Sequence, residues 1–149
     1  MNTIRFLLLL AIVIFNTSTA SADAEAASKA DLQRLQGAWE MVSGSADGQS
    51  MPPDMVKQMK RSFNGEELEV TMAGRIFFKA KITIDPSKKP KTIDYEMLEG
   101  VTKGKRQLGI YEIDGDTFKS AFAKPDAPRP QGFKEEDGKT VSVWKREKK

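Results

Sequence analysis

From residue 61 to the end of the chain, apolar and polar side chains alternate, and that period of two restricts the fold more than any other feature. It places one apolar face and one wet face on each extended segment. Leu68, Val70 and Met72 alternate with Glu67, Glu69 and Thr71. Ile76, Phe78, Ala80, Ile82 and Ile84 alternate with Phe77, Lys79, Lys81 and Thr83, and Ile93, Tyr95 and Met97 with Thr92, Asp94 and Glu96. Phe118, Ser120 and Phe122 repeat the pattern against Thr117, Lys119 and Ala121. Asn64-Gly65, Ala73-Gly74 and Asp114-Gly115 are tight-turn signals between these segments. Strands are also expected at 38–43, 61–63, 107–113 and 140–146, although the facing of 107–113 is not fixed by its pattern.

Eight strands in a meander, with sequential neighbours antiparallel, can close on themselves and leave no exposed edge. The expected fold is therefore mainly β: an eight-stranded antiparallel up-and-down barrel with two short helices near the N-terminus. An open sheet covered by the second helix is the competing architecture. The first helix is expected at 28–36, where Leu32 and Leu35 share a face, Ser28 and Asp31 suit its start, and Gly37 closes it. The second is expected at 52–61, with Pro53 and Asp54 in its first turn and an apolar stripe of Met55, Val56 and Met59.

The beginning of the chain reads as an export signal. Arg5 precedes an apolar run at 6–15, and Ala20-Ser21-Ala22 has the small-x-small form of a cleavage site. The run is shorter than the roughly 20 residues needed to span a bilayer. The expected organisation is a signal peptide at 1–22, a disordered leader at 23–30, and a single β-barrel domain at 31–149. After cleavage near Ala22 the mature protein is expected in the periplasm or medium, with no transmembrane segment.

The chain has no cysteine and no histidine. That excludes Ser-His-Asp and Cys-His catalysis, His- or thiolate-ligated metals and covalent haem attachment. No phosphate-cradling glycine loop is present. Asp114-Gly115-Asp116 lacks the later ligands of a calcium loop and reads as a turn. No catalytic residue, metal site or cofactor is expected. Basic and acidic residues number 24 and 21, and the lysine-rich loop 88–91 and tail 145–149 lack interleaved aromatics. Nucleic acid is therefore not an expected partner.

Leu35-Gln36-Gly37-Ala38-Trp39, a short helix running into Gly-x-Trp, resembles the opening of lipocalin-type barrels. The chain from Asp31 onward resembles more closely an uncharacterised, exported lipocalin-like domain family abundant in planctomycete bacteria. The matching stretches are 35–39, 85–94 (Asp-Pro-Ser-Lys-Lys-Pro-Lys-Thr-Ile-Asp) and 107–117 (Gln-Leu-Gly-Ile-Tyr-Glu-Ile-Asp-Gly-Asp-Thr), with Arg129-Pro130 and Phe133. The resemblance implies a single exported barrel domain without an assigned activity. It also implies that Gly37 and Trp39 seal the barrel base, with Arg146 (or Lys145) packed across the Trp. Ser120 departs from the family pattern, in which a larger apolar residue is expected.

Two non-enzymatic functions remain. In the first, the barrel holds a small apolar or amphipathic ligand. Its candidate contacts are the inward residues Phe78, Ile82, Tyr95, Met97, Phe118, Ser120 and Phe122, under a lid carrying Met55 and Met59. In the second, the barrel is solid and an envelope protein is bound through the long loop 124–138, with Arg129 and Phe133 as contacts. Equally, Phe133 could tuck into the barrel end and pin that loop.

Overall fold

In a computed structural model, residues 18–148 are described; most of the expected signal peptide lies outside them. The chain forms a closed eight-stranded antiparallel barrel. Its staves are β1 (Gly37–Ala46), β3 (Met59–Asn64), β4 (Glu67–Met72), β5 (Arg75–Asp85), β6 (Lys91–Glu99), β7 (Arg106–Asp114), β8 (Thr117–Ala123) and β9 (Lys139–Arg146). Each pairs with the next, and β1 pairs with β9 from Trp39↔Arg146 to Ala46↔Thr140, which closes the wall. A two-residue strand, β2 (Gln49–Ser50), folds back on the end of β1 inside the segment expected to be a loop. The β4–β5 connection, Ala73-Gly74, has both residues at positive φ, as a two-residue hairpin turn requires.

The helices differ from expectation. Helix α1 spans Ser18–Leu35, so residues 23–30 are helical rather than a disordered leader. Six alanines between 20 and 30, with no glycine or proline, explain the difference: helix propensity needs no buried face here. Only the end of α1 meets the barrel, through Asp31, Leu32 and Leu35. Helix α2 is short, Pro53–Gln58, and Met59 already belongs to β3. Met59, Arg61 and Phe63 are buried while Lys60, Ser62 and Asn64 are exposed, so the strand period outweighs the helical stripe here.

A bulge accounts for a second difference. Val70 pairs with Phe78 but Thr71 pairs with Ile76, which leaves Phe77 as the extra residue. The parity of β5 reverses there, and Ile76, expected to face inward, is exposed. The facing of β7 is resolved: Tyr111 and Ile113 join the interior core, while Ile110 lies outside against Phe133.

Candidate functional site

One end of the barrel is sealed by groups that all find partners. Gly37, at φ +98°, turns the chain from α1 into β1. Trp39 is fully buried, and its indole N–H donates to the Leu35 carbonyl at 2.8 Å. The Arg146 guanidinium lies 4.2 Å over the Trp39 ring. It donates to the Gln36 carbonyl at 2.7 Å, to the Arg34 carbonyl, and to Asp116 at 3.2 Å. The carbonyls ending α1, which have no partner within the helix, are thus satisfied. Beside them, buried Asp31 accepts from Lys91 Nζ at 2.7 Å, the Tyr111 hydroxyl at 2.9 Å and Arg34 at 3.2 Å. Burial pushes the Asp31 carboxyl up. The bonds from Lys91 and Tyr111, with the charges of Lys91 and Arg34, outweigh it and hold the group below its ordinary value.

Above this seal lies a packed floor. The Phe118 ring is 5.9 Å from Trp39 and meets Phe63 edge-on at 5.8 Å. Ile82, Phe118 and Ser120, expected as ligand contacts, face inward at this depth but do not line the open space. The aromatic rings fill it. Ser120 adds no room: its hydroxyl lies 3.2 Å from that of Ser142, which accepts from the Trp144 indole at 2.8 Å.

The other end holds a cavity of about 310 Å³ that opens to solvent. Phe78, Tyr95, Met97 and Phe122 line it, as does Met59, from the wall and not from a lid. Met55 does not reach it; at 40% exposure it lies on the outer side of α2. Tyr95 and Phe122 stack with centroids 3.8 Å apart. Gly109 makes room for this pair, since a Cβ there would lie 2.5 Å from the Phe122 ring and 2.9 Å from the Ala121 carbonyl. Met41, Met51, Val70 and Trp144 complete the apolar wall, and Phe77 and Val101 stand at the rim.

Sequence reasoning missed the most unusual group. Arg61 points into the barrel between Trp39 and Val70 of the adjacent strands and is only 5% exposed. Its guanidinium lies 3.8 Å over the Trp144 ring and 5.2 Å from Phe118. Its Nε and Nη1 are buried without a hydrogen-bond partner, and so is the Tyr95 hydroxyl. The two groups face each other closely enough for charge and a side-chain contact to act between them, although no pair of their atoms meets hydrogen-bond geometry. Burial pulls the Arg61 pKa down and pushes the Tyr95 phenol up, each effect partly opposed by the other group. No acidic residue lines the cavity. The available signal was the alternation Met59-Arg61-Phe63, which continues the inward face of β4.

The expected partner-loop residues are engaged within the chain. Arg129 bonds Asp94 and donates to the Gly109 carbonyl at 2.7 Å. Phe133 covers Ile110, Ala121 and Val141 on the outer wall, with Lys119 Nζ 4.8 Å from its ring centroid. The loop therefore packs on the side of the barrel, because β7 to β9 present an apolar patch there. Among the described residues, no helix is long and apolar enough to cross a membrane, and no group of three or more acidic residues could hold a metal ion. Compared with known proteins, the chain matches no family model, no curated protein and no solved structure.

Proposed function

We propose that this chain is an exported, non-enzymatic binding module that holds one small amphipathic molecule in its barrel. The observation that carries the reading is the cavity at the open end. Its volume, about 310 Å³, lies at the small end of the range of ligand sites, roughly 300–1,000 Å³. Its wall is mostly methionine and aromatic side chain, with a few convergent polar groups, the usual composition of such sites. Methionines give an adaptable apolar surface. The export half of the reading rests on the apolar run at 6–15 and the Ala20-Ser21-Ala22 pattern.

The test is native mass spectrometry on protein recovered from its own periplasm or medium, with solvent extraction of the same sample. The expected result is a chain starting near Asp23 that carries a discrete added mass released by solvent. A bare chain that also fails to take up an apolar fluorescent probe would overturn the carrier reading and leave an envelope-interaction domain as the alternative. A chain retaining residues 1–22 would overturn export by cleavage.

A further inference from the structure

A small barrel filled only with apolar side chains needs no arginine inside it. Arg61 is inside, and two of its three guanidinium nitrogens have no hydrogen-bond partner. At neutral pH an arginine keeps its proton even when burial disfavours the charge. The stack on Trp144, at 3.8 Å, recovers part of the cost of removing that charge from water but satisfies none of its N–H groups. The neighbouring Tyr95 hydroxyl meets hydrogen-bond geometry with no group either, although it lies close enough to Arg61 for each to act on the other. Both groups line the same cavity, and no acidic residue does. One fixed positive charge, with the Tyr95 O–H beside it, thus stands beneath a mostly apolar wall that leads to solvent.

We propose that the ligand is an amphipathic monocarboxylate of medium chain length, its head on Arg61 and Tyr95 and its tail running toward Phe77 and Val101. This rests on the carrier reading and deepens it. A planar guanidinium matches a planar carboxylate, and its remaining N–H groups supply charge-assisted hydrogen bonds. Burial keeps the Tyr95 phenol protonated, so it serves as a donor. A carboxylate carries the single negative charge that balances Arg61, whereas a phosphate monoester would bring up to about −2 into a cavity with one cation. A cationic head would be repelled. At about 30 Å³ per heavy atom, the share of a water molecule in the liquid, the 310 Å³ cavity holds about ten heavy atoms, the size of octanoate.

The test measures binding of octanoate, 1-octanol, octyltrimethylammonium and acetate to the mature protein at neutral pH, by titration calorimetry and by tryptophan fluorescence. Trp144 under the guanidinium is the expected reporter. Octanoate is expected to bind about a hundredfold more tightly than octanol, with octyltrimethylammonium and acetate weaker still. Arg61→Met should erase the preference for octanoate over octanol. Tyr95→Phe should weaken octanoate several-fold and spare octanol. Octanol binding as tightly as octanoate to the unaltered protein overturns the carboxylate assignment and leaves an apolar carrier standing. Neither chain binding overturns the carrier reading as well. An Arg61→Met variant that is folded and keeps full octanoate affinity shows that Arg61 is structural only.

Discussion

Arg61→Met should make the empty protein more stable. The substitution keeps most of the side chain's volume, shortens it by two atoms and removes its charge. The effective penalty for burying an ion is several kcal/mol after relaxation, and replacing buried charged groups with apolar ones of similar volume has stabilised proteins by about 1–4 kcal/mol. Against this stands the loss of the cation–π stack on Trp144, 3.8 Å away, which contributes about 2 kcal/mol when desolvated. No salt bridge or hydrogen bond from Nε or Nη1 is lost, because neither atom has a partner. The balance is a gain of at most about 2 kcal/mol, or up to about 6 °C in Tm for a domain of this size. Differential scanning calorimetry on delipidated protein reads it directly. Octanoate at about a hundred times its Kd should raise the Tm of the unaltered protein by the equivalent of about 2.7 kcal/mol, and that of the variant, whose affinity is about a hundredfold weaker, by only about 0.4 kcal/mol. A variant that melts several degrees below the parent, both being empty, would refute the reasoning: the Trp144 stack would then outweigh the burial cost, and Arg61 would belong to the core.

Three other substitutions test the frame around the site. Asp31→Ala leaves the buried Tyr111 hydroxyl without its acceptor and should cost about 2–3 kcal/mol, measured by urea unfolding at pH 7. Because the folded pKa of Asp31 lies below its ordinary 3.8, its contribution is complete above that value and lost as pH falls through the folded one. Acid unfolding of Asp31→Asn should accordingly lack part of the decline seen in the parent below about pH 4. Gly109→Ala drives a methyl into the Phe122 ring; it should cost about 1–3 kcal/mol and weaken uptake of an apolar probe as Phe122 moves into the cavity. Phe133→Ala uncovers Ile110, Ala121 and Val141 and should speed proteolysis within 124–138 without altering ligand affinity.

The barrel was legible in the sequence because each stave must show one face to the core, and a period of two records that directly. The pattern failed where something other than alternation set the facing. At Phe77 an extra residue reverses the parity of β5, and a bulge leaves no mark in a run already rich in apolar side chains. At Met59 a helical stripe and a strand alternation share the same residue, and pairing with both β1 and β4 decides for the strand. For Gly109, the missing Cβ acquires meaning only when Phe122 is known to lie opposite. The cavity was not legible, since the number of inward side chains is the same whether they meet or leave a gap.

The two inward arginines argue that the ends of the barrel serve different purposes. Both stack on a tryptophan, at 4.2 Å for Arg146 and 3.8 Å for Arg61. Arg146 also donates to two carbonyls and to Asp116, so every part of its side chain contributes to closing the base. Arg61 sits just below the cavity, with the same aromatic support but without hydrogen-bond partners for Nε and Nη1. A group held this way is pre-oriented, since the ring fixes the guanidinium plane and leaves its edges for another molecule. In the proposed role, that arrangement costs the empty barrel stability and holds a charge among apolar side chains, where its attraction for an anion is stronger than in bulk water. Stability alone would favour an apolar side chain at position 61, whereas the Arg146 guanidinium has its hydrogen-bond partners. The contrast between two residues of the same type in one interior supports a structural base and, as proposed above, a binding site in the open half.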